Sequence, residues 1–118
     1  MLPPIYSTLT QNATVYAITA NRIFRHGYAP QDIATPYITW ALIFGDPENT
    51  LSEVPQIDRQ TLQVDCWHTT DTGIETMAKA VRDALEPYAH MTAILLDERE
   101  PDTKLYRISL QFDWWEPR

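Results

Sequence analysis

The chain has 118 residues, of which 44% are hydrophobic and 21% are charged, a composition typical of one folded domain and not of a disordered segment. Nine Lys and Arg residues against sixteen Asp and Glu residues give a net charge of −7, so a basic face that grips nucleic acid is not expected. The single cysteine excludes an intramolecular disulfide. We expect one domain over residues 1–118, made in a reducing compartment and without a transmembrane segment.

The N-terminal third predicts short elements. A pair of prolines opens residues 3–10, and proline suits a first helical turn because its missing N–H would have no partner there. Apolar residues at helical spacing indicate one more turn near residues 15–18, followed by a short strand at residues 22–24. Residues 26–36 contain two prolines and a glycine, which predicts a loop.

A long hairpin is predicted next. Residues 37–44 (YITWALIF) are rich in β-branched and aromatic side chains, which favours a strand. Gly, Asp and Pro residues then break the strand, and Pro55 keeps the chain irregular as far as Asp58. Residues 60–68 form the partner strand, so residues 45–58 are predicted to be a long acidic hairpin arm.

The clearest helix follows this hairpin. Thr72 and Glu75 have the spacing of a capping box, and Pro87 helps to end the helix. Apolar residues repeat at helical intervals: Ile74, Met77, Ala78, Val81, Leu85 and Tyr88. The charged residues Lys79, Arg82, Asp83 and Glu86 are predicted to lie on its solvent side.

The last part of the chain predicts two strands. Residues 93–97 form the first, and residues 97–103 (DEREPDT) form a highly charged turn. In residues 104–115 (KLYRISLQFDWW) apolar and polar residues alternate, which predicts a strand with one dry face. The whole order favours an α+β domain, with an antiparallel sheet of four to five strands. The main helix and one or two short N-terminal helices would pack on one face of it.

Residues with catalytic or metal-binding potential are few. Cys66 and His68 lie two positions apart on one strand face, which admits a nucleophile–base pair or half a metal site. The alternative is that Cys66 is a small apolar core residue. The acidic residues of the charged turn lack the spacing of a calcium loop, and no phosphate-binding loop or hydrolase motif occurs. No catalytic residue, cofactor or metal is therefore predicted, and a small ligand-binding or enzymatic domain using Cys66 and His68 is kept as the alternative.

Four tryptophans raise the question of a contact surface. Trp114 and Trp115 must point to opposite faces of a regular strand, and Trp67 has polar neighbours on its face. Either other parts of the same chain cover these rings, or they lie at a subunit interface, where Trp is over-represented.

Five blocks carry a resemblance to a known family: P-Y-I-T-W, G-D-P-E-N-T, L-Q-V-D-C-W-H, M-A-K-A-V-R-D-A-L-E and L-Y-R-I-S-L-Q-F-D-W-W. Together and in this order they resemble the tail-completion proteins of long-tailed bacteriophages, which include tail terminators and head-to-tail joining proteins. The resemblance covers residues 3–115. Residues 11–19 and 91–102 depart from the common pattern.

The resemblance implies a structural subunit without catalytic residues. Such proteins assemble as hexameric rings that cap a finished tail tube and receive the head. The implied partners are further copies of the chain, the tail-tube protein and the head-completion or connector proteins, while DNA passes through without specific binding. No membrane is involved, and the implied location is the virion tail, after assembly in the bacterial cytoplasm from a phage or prophage gene.

The residues suggest which surface makes these contacts. We expect the acidic arm to reach a neighbouring subunit or the tail tube, and an acidic ring to repel DNA phosphates instead of gripping them. The candidate contact residues are Asp46, Glu48, Asn49, Glu53, Arg59, Trp67, Arg107 and Trp115. A monomeric adaptor that binds a partner through the arm is a further alternative.

Overall fold

Three helices and five strands make up the computed structural model, which describes residues 2–26, 29–48 and 57–117. The elements are α1 (Ile5–Thr10), α2 (Ala13–Thr19), β1 (Ile23–Arg25), β2 (Tyr37–Glu48), β3 (Ile57–His68), α3 (Asp71–Leu85), β4 (Ala89–Arg99) and β5 (Tyr106–Pro117). The strands form one sheet in the order β1-β2-β3-β5-β4. The predicted α+β class is confirmed. The sheet is mixed, because β1 pairs parallel to β2 while the other neighbours are antiparallel.

One face of the sheet packs against the helices and forms the core. Alternate residues of β3 and β5 point into it, as the period of two in the sequence predicts. The sheet contributes Ile38, Trp40, Leu62, Val64, Cys66, Ile108, Leu110, Phe112 and Trp114. The helices contribute Ile5, Leu9, Val15, Ile74, Met77, Ala78, Ala80, Val81, Ala84 and Leu85. We call this the helix-covered face and the opposite side the open face.

The start of α3 is fixed by the end of β3. The Thr70 hydroxyl accepts a hydrogen bond from the backbone N–H of Gly73 at 3.1 Å, so Thr70 is the N-cap and the predicted capping box at Thr72 is wrong. His68 Nδ1 accepts from the Thr70 N–H at 3.2 Å, which holds the connection in place. A Cβ added to Gly73 would lie 2.3 Å from His68 Cε1, so only glycine fits here.

The end of α3 also differs from the prediction. The helix stops at Leu85, and Tyr88 lies beyond it with 62% of its surface exposed, so Tyr88 does not continue the apolar stripe. Its ring instead stacks on Trp114, with centroids 6.0 Å apart. The charged residues predicted for the solvent side of the helix are exposed.

The strand β2 is longer than predicted. It runs through Pro47 to Glu48, because β3 continues to pair with it as far as Ile57 opposite Glu48. Proline is tolerated there because β1 pairs only with the first part of β2, which leaves this stretch at the sheet edge. The strand β3 likewise begins at Ile57, three residues before the predicted start at Gln60. Residues 49–56 of the predicted arm lie outside the described residues.

The strand β4 is also longer than the predicted residues 93–97. Its register against β5 shifts between Met91 and Ala93 and again between Ile94 and Leu96, so Thr92 and Leu95 are bulge residues. Two bulges destroy the alternation from which a strand is predicted. Part of the predicted charged turn belongs to this strand, and the turn itself is residues 101–103.

Candidate functional site

The candidate contact residues predicted from the sequence fall into two groups on the open face of the sheet. Trp67 pairs with Arg107 near one end of β3, whereas Arg59, opposite both Asp46 and Trp115, lies near the other. Arg59 and Trp67 are eight positions apart on β3, a distance of about 26 Å at the usual rise of a strand. Glu48 is a strand residue in β2, and Asn49 and Glu53 lie outside the described residues.

The first group is part of an aromatic ladder that crosses four strands. The Trp67 ring stacks on Tyr37, with centroids 5.8 Å apart, and Arg107 lies 4.8 Å from the centre of the Trp67 ring. Phe24 meets Tyr37 edge to face at 6.5 Å, and Trp67 Nε1 donates to the Thr39 hydroxyl at 3.0 Å. The ladder leaves Trp67 only 9% exposed. Side chains of its own chain therefore cover most of this ring.

A buried carboxylate anchors Arg107 beside this ladder. Asp65 is 4% exposed and accepts hydrogen bonds from Arg107 Nη2 at 2.9 Å, from Gln63 Nε2 at 3.0 Å and from the Ser109 hydroxyl. A buried charge is tolerated when it is paired and hydrogen-bonded in this way. The pair therefore has a structural role within the chain. Nearby, burial raises the pKa of the Tyr37 hydroxyl above its ordinary value and the Glu100 charge adds to the rise, whereas the Arg107 charge opposes it.

The second group is more accessible. Trp115 has 45% of its surface exposed, and Arg59 next to it in the sheet is half-buried. In this group Trp115 has the properties of a contact residue, namely a large aromatic side chain in solvent. The assignment of all eight residues to an interface stays a prediction.

Sequence reasoning missed a different feature, the exposed apolar residues at the two edges of the sheet. Leu42 and Ile43 on β2 are 39% and 50% exposed. On β4, Ile94, Leu95 and Leu96 are 59%, 40% and 36% exposed. The signal in the sequence was the run Ile94, Leu95 and Leu96, because three consecutive apolar residues of a strand cannot all point into the core.

The structure places Cys66 and His68 in surroundings that do not suit catalysis. Cys66 lies in the core without exposure, and burial, with a smaller contribution from the Asp65 charge, raises the pKa of its thiol. A reactive thiol needs a lowered pKa and access to solvent. His68 is used in the connection to α3. Among the described residues, no three His, Cys, Asp or Glu side chains group as metal ligands would.

None of the described helices combines the length and apolar character needed to cross a membrane. The fold defines a small α+β protein with one mixed sheet and helices on one face of it. The model of the family described as tail completion protein gp17 matches residues 3–116. The chain belongs to this bacteriophage family, and its role is that of a structural protein of the phage tail.

A solved structure shares the fold. It is a chain in the virion of a native gene transfer agent particle, similar with a TM-score of 0.72 and 14% sequence identity. The match covers 97% of this chain and 92% of that chain. At this identity the likeness establishes a common fold. Among curated proteins no match is found.

Proposed function

We propose that the protein completes the phage tail and joins it to the head, acting as a hexameric ring of identical copies around the DNA passage. The observation that carries the proposal is the match of the tail-completion family over residues 3–116, nearly the whole chain. The similar chain in a gene transfer agent virion supports it, because that chain belongs to a particle of the same general kind.

The charge of the chain supports a passage that does not hold DNA. With sixteen acidic and nine basic residues, six copies would surround the duplex with an excess of negative charge. Like charges repel, so DNA phosphates would pass without specific binding. The proposed partners are the tail-tube protein on one side of the ring and the head-completion or connector proteins on the other. Assembly takes place in the host cytoplasm, and the final location is the virion tail.

A structural role without catalysis is part of this proposal. The enzymatic alternative rests on Cys66 and His68, yet the thiol is buried with a raised pKa, and the imidazole accepts a backbone hydrogen bond. Neither group is placed to attack a substrate in solvent. A thiol-reactivity assay separates the two functions, since a catalytic thiol reacts in the folded protein and a core thiol reacts only after unfolding.

The experiment that tests the function is electron microscopy of phage particles made with and without the gene. Loss of the protein should give tails that fail to join heads or that grow to abnormal length, and a plasmid copy should restore normal particles. Complete, infectious particles made without the protein would contradict the proposal.

We also propose that the acidic arm contributes to ring formation. Glu48 pairs with Ile57, so the intervening residues 49–56 can be replaced by an Asn-Gly turn that closes a two-residue hairpin. The variant should keep the circular dichroism spectrum and melting behaviour of the fold but fail to complete tails. A variant that still completes tails would show that the arm is dispensable.

A further inference from the structure

The sheet ends in two edges that carry no strand among the described residues. One is the outer side of β4, the last strand in the order β1-β2-β3-β5-β4. The other is the outer side of β2 beyond Trp40, because β1 pairs only with Ile38, Thr39 and Trp40. An edge exposes unpaired backbone N–H and C=O groups, which can bind another chain. The molecule therefore presents two different edges on opposite sides.

Both edges carry exposed aliphatic residues at β-bulges. On β2 the register shifts between Leu42 and Phe44, which makes Ile43 a bulge residue, and Ile43 is 50% exposed. On β4 the bulge residue Leu95 is 40% exposed between two further exposed aliphatic residues. Bulges often protect an edge, but a large aliphatic side chain at a bulge leaves it attractive to an apolar partner.

A groove extends the apolar patch of β4 onto the helix-covered face. Its floor is apolar and comprises Ala78, Met91, Ile94, Ile108 and Leu110. Charged residues form its rim: Glu75, Lys79, Arg82 and Asp97. Ile94 thus belongs both to the edge and to the groove, so a chain packed along β4 would bury a continuous apolar strip.

We propose that the β2 edge of one copy, residues 41–48, packs along β4 of the next copy and that this contact joins neighbouring subunits head to tail. This inference rests on the proposed function, because the ring is part of that proposal and the contact describes how the ring is held together. Two different patches in contact give a heterologous interface, which closes into a ring when the rotation per subunit divides a full turn. Contact between two copies of the same edge would give a two-fold dimer instead.

The direction of the strands agrees with this arrangement. β2 and β5 run one way, whereas β3 and β4 run the other. An incoming β2 that pairs antiparallel to β4 therefore points the same way as the β2 of the receiving copy. Successive copies then keep one orientation, as members of a ring must. Parallel pairing would reverse every second copy.

The charges near the two edges also favour antiparallel pairing of the incoming β2 with β4. In the antiparallel arrangement, the exposed Arg25 at the end of the incoming β1 comes close to the end of β4, where the two carboxylates of Asp97 and Glu98 outnumber the one positive charge of Arg99. Parallel pairing would instead place Arg25 near Ala89 and His90 at the start of β4, away from these carboxylates.

Cross-linking between two cysteine variants tests the contact. Ile43→Cys and Leu95→Cys, each with its own epitope tag, are produced together in phage-infected cells that lack the wild-type gene. A short bis-maleimide is then added to the purified particles. The wild-type protein is the blank, because its sole cysteine, Cys66, is buried. Tyr16→Cys is the matched control, since Tyr16 is 52% exposed and lies on α2, outside the sheet.

The expected product is the mixed pair of the two edge variants, exceeding the same-variant pairs and every pair with the control by about tenfold, because bound neighbours have a high effective concentration. Predominant Leu95→Cys pairs with themselves, or a yield equal to that of the control, would overturn the proposal. Adding Arg25→Glu should lower the mixed product, and Asp97→Arg should restore it.

The gene deletion and the cross-linking variants together distinguish failure of this inference from failure of the proposed function. If particles without the gene lack joined heads but the variants that restore them give no mixed product, the function stands and the edge contact is wrong. If the mixed product forms while tails without the gene are normal, the contact stands and the function is wrong.

Discussion

The ion pair between Asp65 and Arg107 lends itself to a double-mutant cycle. Its side chains are 6% and 20% exposed, and their closest atoms are 2.9 Å apart. Asp65→Ala removes the carboxylate that accepts from three side chains and leaves a mostly buried guanidinium without its counter-charge. Removing one partner of a buried pair typically costs about 3–5 kcal/mol, and the remaining exposure of Arg107 places this case at about 3 kcal/mol.

The other arm of the cycle should be smaller. After Arg107→Ala, Asp65 keeps the donors from Gln63 and Ser109, although the cation–π contact with Trp67 is lost. We expect a loss of about 2 kcal/mol. The double variant should lose less than the sum, which leaves a coupling free energy of about 1.5–2 kcal/mol between the two side chains.

Urea unfolding of the four proteins measures this coupling, with circular dichroism and tryptophan fluorescence as probes. The pair Lys79 and Asp83 provides the control, because it has the same charges at 2.8 Å but side chains that are 78% and 59% exposed. Its coupling should be much weaker than that of the Asp65–Arg107 pair, because solvent screens exposed charges. If the two pairs show equal coupling, burial does not strengthen the Asp65–Arg107 interaction and the reasoning is refuted.

Three further predictions concern the β3–α3 connection and the core. Thr70→Ala should lower the free energy of unfolding by about 1 kcal/mol through loss of the N-cap, whereas Thr72→Ala should change it by less than about 0.5 kcal/mol; equal effects in urea unfolding would contradict the cap assignment. Gly73→Ala should destabilise by about 1–3 kcal/mol despite the better helix propensity of alanine. Adding His68→Ala should recover only part of this loss, because the added Cβ would still lie 2.5 Å from the Thr70 hydroxyl; a stabilised single variant would show that both groups move aside freely. Burial raises the pKa of Cys66 above its ordinary value of 9.0, so its contribution to stability is complete below that pH and is lost as the pH rises beyond it. The thiol should react with Ellman's reagent only on unfolding, and Cys66→Ala should weaken the alkaline fall in stability; rapid reaction of the native protein would contradict its burial.

The elements with uninterrupted periodicity were predictable. The alternation in β5 gave its buried face, and the helical repeat gave the buried face of α3, because each pattern matches the geometry of one regular element. The predictions failed where pairing between strands that are distant in the sequence determines the structure. Pro47 is a local breaker, yet β3 holds it within β2. The bulges of β4 hide a strand of eleven residues from any test of alternation.

The neighbours of the candidate contact residues could not be predicted for the same reason. The sequence identified Trp67 as a large ring among polar neighbours, and that observation was sound. The sequence could not show that Tyr37 and Arg107 lie beside the Trp67 ring, because the register of three strands determines which side chains are neighbours. The apolar edges were hidden for a related reason, because exposure at an edge depends on which strand comes last in the sheet.

The turn between β4 and β5 offers a place for labelling the protein in its assembly. Residues 101–103 are exposed, and the backbone pairs of Glu100 with Lys104 and Leu105 close the hairpin beneath them. A peptide epitope inserted between Asp102 and Thr103 would extend into solvent without entering the core. The two-residue link from His68 to α3 is its opposite, because Thr70 and His68 make the hydrogen bonds that start the helix, and an insertion at that point would separate the helix from its N-cap.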